Sequence, residues 1–221
     1  MPTMAVIGAQ WGDEGKGKLI DRLSENADLV VRFQGGANAG HTISVAGEKM
    51  IFHLIPSGIL HEGVRCLVGP GVVVDPEELL KEIDSLHDSG IDAERRFGIS
   101  GKAHVIFPYH RSEEAWIEST RGKSAIGTTR RGIGPAYADR VSRIGIRVFD
   151  LLDPDVLFEK LKLAIRLKAH IVDHLPEQAD SLDLERLSET YRTFGERLRC
   201  YVSDVEDELD MGLRRDAHIL L

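Results

Sequence analysis

The 221-residue chain reads as an α/β protein with a mostly parallel central sheet, flanking helices and a helical segment after about residue 150. Three observations predict this. Short apolar, β-branched segments recur at 29–33, 51–55, 66–69, 72–74, 103–107 and 144–149, with helix signals between some of them. Two glycine-rich loops each follow an apolar strand directly, the usual place for a ligand in an open α/β sheet. From Asp153-Pro154 onward the pattern turns almost wholly helical.

Taken in order, Met4-Ala5-Val6-Ile7 is apolar enough for a short buried strand, and Leu19-Ile20-Asp21-Arg22-Leu23 reads as the start of a helix. A helix over 77–89 follows the start signal Asp75-Pro76. Beyond residue 150, one helix is expected at about 155–174 and a second at about 182–211. The second carries a single apolar stripe, Leu184, Leu187, Tyr191, Phe194, Leu198, Tyr201, Val205 and Leu209, spaced by threes and fours. It is read as a packing face toward the core or a partner subunit, without chemistry. Arg214-Arg215-Asp216 reads as a turn, and the final residues as an emerging buried strand. Buried backbone without a partner is costly, so the 221 residues are read as a fragment of a longer protein. The expected division is an α/β core at 1–150, a helical subdomain at 151–213 and the start of a further strand at 214–221, all within one domain.

Composition narrows the function classes. With 28 basic and 36 acidic residues the net charge is −8, so no overall basic field points to nucleic acid. Cys66 and Cys200 are too few for a disulfide framework or zinc site, and they suit a reducing cytosol. The start lacks a signal-peptide pattern, and no run approaches the ~20 apolar residues of a membrane helix. A soluble cytoplasmic protein is expected, with no membrane partner.

Between the first strand and helix lies Gly8-Ala-Gln-Trp-Gly-Asp-Glu-Gly-Lys-Gly-Lys18. A glycine-rich turn at a helix N-terminus presents backbone N–H groups and a favourable dipole to phosphate. The fold expected from it is P-loop NTPase-like. The spacing is irregular, however. Six residues separate Gly8 from Gly15, and Gly17 follows Lys16 where a Mg²⁺-binding hydroxyl is usual. Asp13 stands inside the loop, which makes sense if it binds a cation touching phosphate or takes a proton from a substrate.

A second loop, Gln34-Gly-Gly-Ala-Asn-Ala-Gly-His-Thr42, supplies amides, a hydroxyl and the imidazole of His41, able to move a proton near neutral pH. The remaining histidines are read as ordinary hydrogen-bonding residues. A third cluster runs from Lys123 to Arg143. Its Thr128, Thr129, Arg130, Arg131, Arg140 and Arg143 suit polyanion binding on a shaped loop at 126–137.

Together with His53-Leu-Ile-Pro-Ser-Gly-Ile59, these motifs closely resemble adenylosuccinate synthetase, from about residue 4 to the end. The resemblance implies GTP-dependent ligation of IMP and L-aspartate, with Mg²⁺, on the route to AMP. It implies that Asp13 is both the base on the IMP ring and a Mg²⁺ ligand, and that His41 is the acid beside the transferred phosphoryl. Gly40 would give a backbone oxygen to Mg²⁺. GTP would meet Gly12, Asp13, Glu14, Gly15, Lys16, Gly17, Lys18, Gly40, His41 and Thr42. IMP would meet Asp13, Glu14, Gly15, Lys16, Asn38, Ala39, Gly40, His41, Thr129 and Arg143, the last reaching into the neighbouring site of a homodimer. The chain departs from the family pattern at Arg140, usually Lys, and at Arg130, usually Gly, so Arg140 is left out of the catalytic set. Family members run to roughly twice this length, and the guanine- and aspartate-recognition elements lie in the later half, so 221 residues alone are expected to be inactive. The competing readings are a generic P-loop GTPase or ATPase switch, against which Gly17 counts, and a non-catalytic α/β assembly module.

Overall fold

The computed structural model describes residues 3–8, 16–38, 40–45, 48–169, 171, 174 and 180–221, and for residues 41–45, 48 and 49 the backbone alone. In chain order, α1 (Lys16–Ser24) leads into β1 (Leu29–Arg32), and a hairpin of β2 (His41–Val45) and β3 (Glu48–Phe52) follows. Next come β4 (Arg65–Val68), β5 (Val73–Val74), α2 (Pro76–Asp88), β6 (Phe97–Ser100), β7 (His104–Val105), α3 (Pro108–Arg121) and α4 (Ile133–Val141). A 3-10 turn at Val148–Leu152 precedes α5 (Pro154–Lys168) and α6 (Leu184–Leu198). The chain then runs through a second 3-10 turn at Arg199–Tyr201, β8 (Val202–Ser203), α7 (Val205–Arg214) and β9 (Ile219–Leu220).

Five of these strands form a parallel sheet in the order β8–β6–β4–β1–β9. Beyond β9 the N-terminal segment pairs in parallel, with Met4 donating to Ile219 O at 2.9 Å and Val6 to Leu221 O at 2.8 Å. A fully parallel sheet is buried on both sides, which is why its strands are apolar without alternation. The pleat still separates their residues. Val30, Cys66, Val68, Phe97 and Ile99 join the larger core with Leu79, Ile83 and Leu86 of α2, Leu157 and Leu161 of α5, and Leu187 and Tyr191 of α6. Leu29, Val31 and Leu67 join Val205 and Leu209 of α7 in a smaller core. Each fully buried leucine or isoleucine contributes about 1.5–3 kcal/mol, so these two layers fix the sheet.

The α/β expectation and its parallel sheet hold. Asp-Pro signals start helices as expected: Asp75 accepts from Glu78 N–H, and Asp153 accepts from Asp155 and Val156 N–H, each with Pro at the first turn. The expected strand at the end of the sequence is present as β9 and buried.

Several boundaries are corrected. The helix expected over 182–211 is two helices with β8 between them. Asp204 caps α7 by accepting from Asp207 N–H at 3.1 Å, and Glu206, Asp207 and Glu208 fill its first turn. The stripe runs through this break because the break preserves its spacing, yet its halves serve opposite faces of the sheet. Leu187, Tyr191, Leu198 and Tyr201 enter the larger core, whereas Val205 and Leu209 enter the smaller one. In the helical stretch expected at 155–174, α5 ends at Lys168, Ala169 makes a turn, and the backbone is again helical at 171 and 174. Residues 144–149 form no strand. Arg147 makes one bridge to His104, and then Asp150 takes Arg147 N–H at 2.8 Å and turns the chain into a 3-10 helix. The strand expected at 51–55 ends at Phe52, because the next three backbone N–H groups turn to a carboxylate of α2. Phe97–Ser100 is a further strand, not among those expected, and α4 takes the last five residues of the segment read as a loop at 126–137.

The close fit of α6 against the 3-10 turn supplies a test. A Cβ on Gly195 would collide with the carbonyl oxygen of Leu151 and lie 2.8 Å from its carbon. Gly195→Ala is expected to lower stability by about 1–3 kcal/mol in urea unfolding, and an unchanged midpoint would contradict this packing.

Candidate active site at the carboxyl edge of the sheet

All strands of the parallel sheet point the same way, so the segments following β1, β4 and β6 emerge at one edge, together with Ile7-Gly8 after the N-terminal segment. A cleft of about 310 Å³ opens there, lined by Gly8, Lys16, Arg32, Phe33, Gln34 and Leu221 among others. It brings together the ends of the first loop and the start of the second. Lys16 opens the described part of α1, where a helix N-terminus favours an anion. Gly17 and Lys18 follow it on the same first turn.

The second loop is anchored by α4. Tyr137 Oη accepts from Gly35 N–H at 2.8 Å and donates to Gly71 O at 2.8 Å, joining the loops after β1 and β4. Ile133 packs on Gly36 so closely that a Cβ there would lie 3.0 Å from its Cγ1. Arg140 donates to Pro70 O at 2.8 Å. Asn38 and Gly40 are exposed on this loop, and Gly40 leads directly into β2 at His41.

Helix α4 is itself held from beneath by a buried polar cluster. His110 Nδ1 accepts from Phe107 N–H at 3.0 Å, which leaves Nε2–H to donate to Asp139 Oδ2 at 3.0 Å. Lys168 donates to Asp139 Oδ1 and to Glu113 Oε2, both at 2.6 Å. Burial lowers the pKa of His110 and favours its neutral form. Burial alone would raise the Asp139 pKa, but His110 and Lys168 outweigh it and keep the carboxylate charged.

The Thr-Thr-Arg-Arg loop is carried by α3. Glu118 accepts from the backbone N–H groups of Ile126, Gly127 and Thr128, and Glu114 from Gly132 at 2.7 Å. Those backbone bonds, Gly127's first, lower the Glu118 pKa. Thr129 and Arg130 are exposed. Arg130 and Arg143 both adopt left-handed backbone, at φ 55° and 62°, a conformation uncommon for residues with a side chain.

Arg143 lines a different cleft, of about 590 Å³, with Lys102, His104, Arg140, Arg147 and Lys160. The described residues therefore place Lys16, Gln34 and Gly8 together and Arg143 apart from them. Gly12, Asp13, Glu14, Gly15 and Ala39 lie outside the described residues, and for His41 and Thr42 only the strand backbone is described. Among the described residues, no three His, Cys, Asp or Glu side chains gather to hold a metal, and no helix is long and apolar enough to cross a membrane. The sequence reading missed Tyr137, Glu114, Glu118 and Asp139 as supports. Only Glu114 and Glu118 left a signal, two carboxylates one helical turn apart before a glycine-rich loop.

The adenylosuccinate synthetase family model matches residues 5–221. The chain belongs to this family. It is 48% identical over 221 residues to an adenylosuccinate synthetase of Syntrophobacter fumaroxidans, covering all of this chain and 51% of that protein. To the enzyme of Salinibacter ruber it is 49% identical over 228 residues, covering all of this chain and 52% of the relative. The solved structure of the fully ligated adenylosuccinate synthetase from Plasmodium falciparum superposes with a TM-score of 0.84 at 37% identity, covering 98% of this chain and 50% of that one. The chain thus spans about half the length of the curated relatives it matches. The family resemblance drawn from the motifs and the parallel α/β fold both hold.

The basic cleft gives a pH test. Burial, then Arg140 and Arg147, lower the His104 pKa to about 4 from an ordinary 6.5, against Asp150. The unfolded chain therefore takes up a proton that the fold refuses, and stability present above pH 6.5 is lost as pH falls toward 4. Relative to His104→Gln, the wild-type chain is expected to lose roughly 1–3 kcal/mol of unfolding free energy over that interval. Parallel pH dependences for the two proteins would contradict the assignment.

Proposed function

We propose that this chain supplies the GTP- and IMP-binding half of an adenylosuccinate synthetase, which joins IMP to L-aspartate with GTP hydrolysis through a 6-phosphoryl-IMP intermediate. The observation that carries the reading is the meeting of Gly8, Lys16 and Gln34 at one cleft on the carboxyl edge, within a family match over residues 5–221.

In this reading Gly12, Asp13, Glu14, Gly15, Lys16, Gly17 and Lys18 wrap the GTP phosphates, with Lys16 as the charged contact. Asp13 removes a proton from the inosine ring, leaving negative charge on the 6-oxygen, which attacks the γ-phosphorus. The bond from the γ-phosphorus to its bridging oxygen breaks, GDP leaves, and His41 donates to the oxygens on which that charge builds. Departure of the 6-phosphoryl group follows addition of the aspartate amine. Phosphoryl transfer asks mainly for alignment and charge neutralisation, which is what these groups provide. Asn38, Ala39, Gly40 and Thr129 hold IMP, and Thr42 lies beside GTP.

Mg²⁺ prefers oxygen ligands, and Gly40, exposed and without a side chain, offers a backbone oxygen to pair with the Asp13 carboxylate. When bound, the ion neutralises phosphate charge. Arg143 is proposed to act in the neighbouring site of a homodimer. Two observations support this: Arg143 is exposed and left-handed at the end of α4, and it lines a cleft separate from that of Lys16. The net charge of −8 fits small-molecule partners rather than nucleic acid.

The test uses two proteins. The 221-residue chain alone is expected to form no adenylosuccinate from GTP, IMP and aspartate, and sustained turnover would overturn the half-enzyme reading. A chimera continuing it with the second half of the Syntrophobacter fumaroxidans relative is expected to turn over. In that chimera Asp13→Asn should lower kcat by about 10²–10⁴-fold, and undiminished kcat would remove Asp13 from the role of base.

A further inference from the structure

One half-buried arginine and one buried glutamate stand beneath the second glycine loop, and neither belongs to a recognised motif. Arg32 ends β1 and donates to two backbone carbonyls, Gly36 O at 2.5 Å and His53 O. Glu82 of α2 is 5% exposed. Its carboxylate accepts from the backbone N–H groups of His53 at 2.8 Å, Leu54 at 3.0 Å and Ile55 at 2.9 Å. Every one of these contacts donates to it, which is the pattern of a carboxylate capping a turn. Burial pushes its pKa up to about 7, against the pull of the three N–H groups and of Arg32.

The turn at His53 bears directly on the loop. A Cβ built on Gly40 would lie 2.8 Å from His53 Cε1 and 3.3 Å from its Nδ1, so the imidazole packs against the Gly40 backbone. His53 Nδ1 is buried with no hydrogen-bond partner among the described residues. The backbone from which the ring projects is fixed by Glu82 on its N–H and Arg32 on its carbonyl. In the hairpin His41 pairs with Phe52, so the same turn also closes the end of the strand carrying His41.

We propose that Arg32 and Glu82 are positioning residues of the candidate site, holding the second glycine loop at both ends. One end is Gly36, bound directly by Arg32. The other is Gly40, seated on His53. The functional weight of this clamp rests on reading the loop as part of the substrate site, but the clamp itself does not. A bidentate guanidinium is needed because two carbonyls diverge from it, and a lysine ammonium keeps the charge without the fork. A glutamine at position 82 keeps the length but offers one acceptor oxygen where the carboxylate has two.

Amide hydrogen exchange on the 221-residue chain reads the clamp without requiring turnover. In both Arg32→Lys and Glu82→Gln, peptides covering 34–38, 40–45 and 53–55 are expected to exchange about tenfold faster or more, while β4 and β6 keep their rates. Unchanged exchange at 34–45, or equal acceleration in β4 and β6, would overturn the proposal. Should Glu82→Gln lose cooperative unfolding, Glu82→Asp is judged by the same two outcomes. In the chimera, Arg32→Lys is expected to lower kcat about tenfold with KM for GTP within about threefold, and an unchanged kcat would overturn the positioning role. A wild-type chimera without turnover would instead contradict the proposed function and leave the exchange result to judge the clamp.

Discussion

The carboxyl edge of a parallel sheet sets a problem that the rest of this structure answers. Turns and loops packed around it carry backbone N–H groups no strand takes up, and buried unpaired donors are costly, at about 1–3 kcal/mol each. In this chain the acceptors are carboxylates on the surrounding helices. Glu82 takes the N–H groups of residues 53–55, Glu118 those of 126–128, and Glu114 that of Gly132. The turn after β3 and the loop after α3 are thereby bolted to α2 and α3. Asp139 does the complementary service for α4, tying it to α3 through His110 and to α5 through Lys168.

Such an arrangement separates the source of precision from the source of chemistry. The groups read as reactive are on glycine-rich loops, where close approach to phosphate demands small residues. Those loops have few side chains of their own with which to hold themselves. The surrounding framework supplies the hold from outside, through Tyr137 of α4 on Gly35 and Gly71 and through Arg32 at the end of β1 on Gly36 and His53. The basic cleft around Arg143 lies apart from this assembly, at the far end of α4. The proposed role of Arg143 therefore depends on a second copy of the chain bringing it to the substrate site.

Much of this was legible in the sequence, and the limits have physical reasons. The loop at Gly8 to Lys18 and the strand–glycine–strand rhythm are local patterns, so fold class and family could be read from them. Asp75-Pro76 and Asp153-Pro154 announced their helices because capping is also local. The break at 199–204 was invisible because the apolar spacing continues across it while the chain changes faces of the sheet. Residues 53–55 looked like strand because nothing local reveals that their N–H groups go to Glu82, nearly thirty positions later. The anchoring residues were missed for a related reason: Glu82 and Asp139 act through partners distant in sequence, and a lone charged residue in a helix reads as solvated, while Arg32 at the end of β1 reads as an ordinary strand-end charge. Of the expected catalytic pair, Asp13 lies outside the described residues and His41 is described by its backbone alone.

The central claim is that the first loop serves a reaction requiring all three substrates rather than an autonomous nucleotide switch. Phosphate release from GTP by the chimera, with IMP and aspartate added singly and together, tests it most directly. Rapid release only when both are present is the predicted result. GTP hydrolysis at the same rate without IMP would contradict the account.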